Sequence, residues 1–111
     1  MLLFDATLSV LGLIIFCQAT FYHPSLAGGI MRNGQIYDPE DSSVIAIGIN
    51  DAGEPVMPMG TKLKVCSSRG CLIGIVQDSG YLGKNIDLSP AAFSRLADLD
   101  DGRIWVSITC P

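Results

Sequence analysis

Lys62-Leu63-Lys64-Val65-Cys66-Ser67-Ser68-Arg69-Gly70-Cys71-Leu72-Ile73-Gly74-Ile75-Val76 is the stretch on which the fold turns. Lys62–Cys66 and Cys71–Val76 read as two strands, joined by Ser67–Gly70, a hairpin loop of common length. A cysteine stands at each end of that turn, so the two side chains face each other across the hairpin at bridging distance. A Cys66–Cys71 disulfide is expected, and with it an oxidising compartment. The alternative is thiols buried in a reducing cytosol.

Outward from the hairpin, the remaining elements are short. Ser89-Pro90 opens the one clear helix, with Ser as cap and Pro at the first helical position, running to about Ala97. Phe93, Leu96 and Ala97 give it one apolar face. Arg103–Cys110 is a strand with Ile104, Val106 and Ile108 on one side and Trp105, Ser107 and Thr109 on the other. Upstream, Val44–Ile49 reads as a buried strand, and Asn50–Gly60 as a loop. Pro24–Gly29, Asn33-Gly34 and Tyr37–Asp41 are turn-rich chain. Ile14–Tyr22 is the first strand, β-branched and aromatic without Gly or Pro. Several short strands, one helix and no repeat predict a small β-barrel. Cys17 and Cys110 fall in the first and last predicted strands, which must pair if the barrel closes. A bridge there would be worth on the order of 4–5 kcal/mol in the chain-entropy model; two thiols are the other reading.

Composition narrows the function. The chain has 111 residues, 7 Lys+Arg against 11 Asp+Glu, and a net charge of −4. Scattered basic residues in an acidic chain exclude a nucleic-acid partner. With 49% hydrophobic and 16% charged residues, disorder is excluded as well. One His and four Cys form no zinc-like spacing, and neither phosphate-binding glycine motif occurs, so no metal and no cofactor are expected.

The N-terminus admits two readings. Leu8–Phe16 is nearly all apolar, yet short of the about 18 residues that span a bilayer. Cys17-Gln18-Ala19 roughly fits a signal-cleavage site. However, no Lys or Arg precedes Arg32, Asp5 sits where positive charge is usual, and cleavage would remove Cys17. We read residues 1–16 as an uncleaved apolar segment, signal-like or an assembly contact, and residues 17–111 as the barrel domain.

From Ala19 to Thr109 the chain carries six blocks in order. They are Ala19-Thr20-Phe21-Tyr22, Asn33-Gly34-Gln35-Ile36-Tyr37-Asp38, Met59–Val65, Ile75-Val76-Gln77-Asp78-Ser79-Gly80-Tyr81, Asp87–Phe93 and Gly102–Val106. Together they resemble the double-psi β-barrel domain of the rare lipoprotein A family, which is also the first domain of expansins. The resemblance implies a six-stranded double-psi β-barrel with one short helix. The stapled hairpin looks most like variants in phage and actinobacterial proteins. Rare lipoprotein A relatives cleave peptidoglycan glycan strands as lytic transglycosylases, and expansins loosen wall polysaccharide without hydrolysis. Both imply a carbohydrate groove.

The site residues follow from that resemblance. Asp78 matches the acid regarded as catalytic in rare lipoprotein A relatives. A lone acid of this kind protonates the glycosidic oxygen and then takes a proton from the sugar's own hydroxyl, which requires a partly desolvated carboxyl. Read from the residues alone, Asp78 could equally accept backbone N–H groups and pin a turn. Asp87 matches the Asp that expansins need; two residues before Ser89, it would also favour the helix start. Thr20 and Tyr22 match groove-facing positions. Gln35 stands where active relatives carry Glu, and Ile45–Asn50 lacks their His; the single His is His23, in the first block. Tyr22, Tyr37, Tyr81 and Trp105 are candidate sugar platforms, although a strand Trp in a small barrel belongs to the core.

Three functions remain open. One is a transglycosylase-like peptidoglycan enzyme, and another a non-catalytic expansin-like wall module. The last is a structural barrel in an assembly such as a phage tail tip, contacting other subunits through its apolar N-terminus. The first two place the protein outside the cytoplasm, the third in a virion tail.

Overall fold

The computed structural model describes residues 14–111. Its strands are β1 (Ile15–Phe21), β2 (Val44–Gly48), β3 (Lys62–Cys66), β4 (Cys71–Gly80), β5 (Ile86–Leu88) and β6 (Ile104–Thr109). They close into a barrel in the order β1-β5-β2-β4-β3-β6. β1 runs parallel to β5 and β2 parallel to β4; the other pairings are antiparallel. This is the six-stranded barrel with one short helix that the resemblance implies, and its strand pairing is mixed. Most of residues 1–16, the apolar N-terminal segment, lies outside the described residues, and β1 takes in its last two, Ile15 and Phe16. Among the described residues, no helix is long and apolar enough to cross a membrane.

Alternation fills the interior. Cys17 and Ala19, Ile45 and Ile47, Leu63 and Val65, Leu72 and Val76, Ile86 and Leu88, and Val106 and Ile108 meet in one buried core. Each large aliphatic there contributes about 1.5–3 kcal/mol by leaving water. Gly74 shares the inner face because Ile45 fills the space beside it: a Cβ at Gly74 would meet Ile45 Cδ1 at 2.5 Å. Helix α1 (Pro90–Phe93) packs against β1 and β5, with Ala92 and Phe93 in the core and Phe93 edge-on to Phe21 at 4.9 Å. Ser89 caps it, its Oγ accepting from Ala92 N–H at 3.1 Å.

Three expectations need correction. The helix stops at Phe93 rather than Ala97, because the next bonds, Arg95 N–H to Ala92 O and Leu96 N–H to Phe93 O, are the tighter three-residue kind. Leu96 and Ala97 remain buried as predicted, but from a turn. The Cys66–Cys71 disulfide is present, whereas no bridge joins Cys17 to Cys110. β1 and β6 do pair, but in a register that sets Cys17 against Val106. Cys110 lies four residues further along, roughly 13 Å, beyond the about 7 Å a disulfide spans. Burial holds the Cys17 thiol protonated, with its pKa pushed up to about 11. Trp105 is not in the core either. It is 68% exposed on the outer face of β6, where its alternation with Ile104 and Val106 puts it.

Candidate functional site

Thr20, Asp87, Ala46 and Asp78 stand in one row across β1, β5, β2 and β4. Paired residues share a face, so all four side chains leave the barrel on its outer side. Asp87 gets there by simple alternation between the inward Ile86 and Leu88. Asp78 does not. Counting by twos from the inward Val76 would send Asp78 into the core. The register shift between Ile45 and Ala46 leaves Gln77 as an extra residue, and this bulge turns Asp78 outward. Gln77 is itself held, its Nε2 donating to Ser43 Oγ at 3.0 Å and its carbonyl accepting from Asn33 N–H at 3.1 Å.

Ala46 separates the two acids, with a strand spacing of about 5 Å on each side. Its small side chain leaves room for the rings of Tyr22 and Tyr37, stacked at 4.5 Å with 26° between their planes. These rings form a second buried cluster with Met31, Val44 and Ala46, outside the barrel and beneath the chain that follows β1. Tyr22 Oη donates to Asp78 Oδ2 at 2.7 Å. Asp78 Oδ1 accepts the N–H groups of Arg32 and Ser79, both at 2.9 Å. Thr20 Oγ1 donates to Asp87 Oδ1 at 2.9 Å. Asp78 therefore does pin a turn, and in the same geometry it faces the tyrosines.

Burial sets the protonation pattern. Desolvation pushes the Asp87 carboxyl above the ordinary carboxylate range; the Thr20 hydroxyl and Leu88 N–H pull against it, and the charge of Asp78 adds to it. Desolvation also raises the Tyr22 phenol, reinforced by its bond to Asp78 and by the charges of Asp78 and Asp87, so Tyr22 stays a donor. Tyr37 is pushed up to about 12, by burial first and then by the charges of Asp87 and Asp38. Its hydroxyl is buried without a hydrogen-bond partner among the described residues. Tyr22, Tyr37, Met31, Ile30, Leu26 and Asp78 border a notch of about 120 Å³. Enclosed small-molecule pockets run from about 300 Å³ upward. The notch suits one edge of a larger ligand lying across the surface.

The other predicted residues lie outside this constellation. His23 is exposed, its Nδ1 accepting from Ser25 N–H at 3.1 Å. Gln35 lies in the exposed turn after Asn33, its N–H bound to Asn33 Oδ1 at 3.0 Å. Tyr81, 96% exposed, borders a separate cleft with Asn50 and Asp51. Among the described residues, no group of three or more His, Cys, Asp and Glu is placed to hold a metal ion.

No family model matches the chain. Over 92 residues it is 36% identical to the uncharacterized protein ssl3177 of Synechocystis sp., covering 83% of this chain and 93% of that one. The chain belongs to the ssl3177 family. Among solved structures, the ssl3177-type barrel is similar to the Streptomyces papain inhibitor, with a TM-score of 0.71 and 23% identity over 88% of this chain and 94% of that one. It is equally similar to a mutant Clavibacter michiganensis expansin in complex with cellohexaose, with a TM-score of 0.72 and 23% identity over 89% of this chain. The apo form of that expansin matches with a TM-score of 0.71. The chain spans about half the length of the expansin, 50%. These likenesses establish an expansin-like barrel fold.

Sequence reading missed part of the ssl3177-type site. Arg32 donates from Nη1 to Gly53 O and Ser79 Oγ, both at 3.2 Å, and sits 3.6 Å from Glu54. It thereby ties the loops around Asp78 together, and nothing local in the sequence marks it. Ala46 did leave a signal: it is the one small side chain in Val44-Ile45-Ala46-Ile47.

Proposed function

We propose that this barrel engages cell-wall glycan, with peptidoglycan strands as the expected polymer, along Thr20, Asp87 and Asp78 of the row, whose fourth member, Ala46, lies buried beneath Tyr22 and Tyr37. The observation that carries this reading is the row itself. It sets two outward carboxylates on either side of Ala46, which the stacked Tyr22 and Tyr37 cover, and one of them, Asp78, borders the shallow notch. Carboxylates accept sugar hydroxyls, and the apolar rim of Leu26 and Ile30 suits the flat face of a pyranose. The shared fold with an expansin solved with cellohexaose supports carbohydrate as the ligand class. The Cys66–Cys71 disulfide supports an oxidising, extracytoplasmic setting.

Gripping fits the geometry better than cleavage through Asp78, because both oxygens of that carboxylate already accept hydrogen bonds. One observation favours a cleaving reading through its neighbour. Desolvation raises the pKa of Asp87, the direction a proton donor to a glycosidic oxygen needs. The deciding experiment incubates wild type, Asp78→Asn and Asp87→Asn with purified sacculi, then measures retained protein and the mass of soluble products. Gripping predicts retention of wild type, weaker retention of both variants, and no anhydro-muropeptides. Anhydro products from wild type but not from Asp87→Asn would establish a transglycosylase. Absence of both retention and products would end the wall-glycan reading.

A further inference from the structure

We propose that the groove between Phe16 and Trp105 is an aromatic glycan subsite that continues the acid row along the outward side of β1. This rests on the glycan reading of that row. Alternation along β1 sends Phe16, Gln18 and Thr20 to the same outer face, and Thr20 is the first member of the row. β6 lies alongside with Trp105 opposite Gln18 and Ser107 opposite Phe16, so the two aromatic rings sit on adjoining strands, diagonal to each other. Phe16 is 71% exposed and Trp105 68%. Between them runs a groove of about 250 Å³ whose lining includes Ser67, Ser68 and Ser107.

The chemistry of the lining selects the occupant. Rings that flank hydroxyl-bearing side chains match a pyranose, which offers flat C–H faces and hydroxyl edges. The groove's lining carries no charge. Among the cations nearby, Arg69 pairs with Asp98 at 3.2 Å and Arg103 donates to Gln18 Oε1 at 3.2 Å, and Lys64, two residues before Cys66 on β3, stands outside the lining. An uncharged lining favours neutral sugar over an acidic or basic peptide. One wall belongs to the hairpin that the Cys66–Cys71 disulfide closes and Ser67 Oγ anchors to Leu96 O at 2.7 Å, so it is preformed. Phe16 and Thr20 are four residues apart, roughly 13 Å along the strand. A ligand touching both is therefore a chain of several sugars and not one ring.

Trp105 is the single tryptophan, so its fluorescence reports on the two clefts it borders, this groove and the one it shares with Arg69 and Asp101, and the response to Phe16→Ala tells them apart. The test titrates the protein with β-1,4-linked hexasaccharides, cellohexaose and chitohexaose, and with the corresponding disaccharides. Binding is measured independently by calorimetry, and folding of each variant by circular dichroism. We expect a hexasaccharide to shift Trp105 emission to the blue and the disaccharides to bind far more weakly. Trp105→Ala and Phe16→Ala should each weaken hexasaccharide binding about tenfold. Asp87→Asn should weaken it as well, while leaving the emission shift intact at saturation. If hexasaccharide binds, depends on Asp87, and neither moves Trp105 emission nor responds to Trp105→Ala, the subsite is overturned and the acid row stands. If the emission shifts but Asp87→Asn and Tyr22→Phe bind as wild type, the continuity with the row is overturned. An emission shift that follows protein concentration without sugar would make this face a contact between copies and overturn the proposal. No binding of any hexasaccharide would overturn the subsite and, together with failed retention on sacculi, the glycan reading too.

Discussion

The outer faces of β2 and β6, two short strands of one barrel, end in opposite environments. On β2 all five residues are buried, because Tyr22, Met31 and Tyr37 pack over Val44 and Ala46 from outside. On β6 the outward residues Trp105, Ser107 and Thr109 remain at least partly in water. The difference shows where a small barrel places desolvated chemistry. The interior is filled with aliphatic side chains, so a low-dielectric site for carboxyls and phenols needs a second layer, and the long chain between β1 and β2 supplies it. Electrostatic interactions strengthen under that layer, while the β6 face keeps only shape and stacking.

The sharpest break of the β2 side is Gly48→Ala. A Cβ at this position would collide with the Gly83 carbonyl oxygen, a backbone atom that cannot swing aside. We expect a loss of about 3 kcal/mol, read as a lowered urea midpoint. A variant as stable as wild type would show that the two segments are not so closely packed. Next is the open side's hairpin: Cys66→Ala with Cys71→Ala should cost about 2 kcal/mol, the chain-entropy value for so short a loop. Chemical reduction of wild type should lower the midpoint to the same extent.

Tyr22→Phe removes one hydrogen bond to a charged group and should destabilise by about 1.5 kcal/mol. Asp78 keeps its two backbone donors, so the loss stays below that of stripping a buried charge bare. Asp87→Asn should act in the opposite direction and with pH. The folded pKa of Asp87 is raised by desolvation, so the folded state holds this proton more tightly than the unfolded chain. Its contribution is most favourable below the ordinary carboxylate range and is lost as pH rises through the folded value. The variant should therefore gain on wild type from acidic to neutral pH in urea titrations; a pH-independent difference would refute the desolvation account. Smallest is Trp105→Ala, expected to change stability by no more than about 0.5 kcal/mol because the ring is exposed. Its unfolding is followed by far-ultraviolet circular dichroism, and a large loss would mean that the β6 face is part of the core.

Local chemistry made much of the fold legible. Lys62–Cys66 and Cys71–Val76 were readable because a turn of common length separates two apolar runs, and the same spacing placed the disulfide. Ser89-Pro90 marked the helix start because cap and first-turn residues act on adjacent backbone groups. Thr20, Tyr22, Asp78 and Asp87 were all picked out as groove residues, although only their family resemblance joined them. β5 escaped notice, since Ile86-Asp87-Leu88 is too short to show a period and is a strand only because β1 and β2 flank it. The extension of β4 through Gln77-Asp78-Ser79-Gly80 escaped for a related reason: a polar run reads as loop until a parallel partner pairs with it.

By itself, then, the sequence determined the stapled hairpin with its two strands, the helix start and the alternation along β6, because turn chemistry and alternation act between near neighbours. Tertiary structure alone decided that Gln77 bulges and Asp78 faces outward, that Tyr37 and Asp87 lose their water, and that Cys17 meets Val106 instead of Cys110. Register, bulges and desolvation are set by partners dozens of residues away along the chain, and no local pattern encodes which partner arrives.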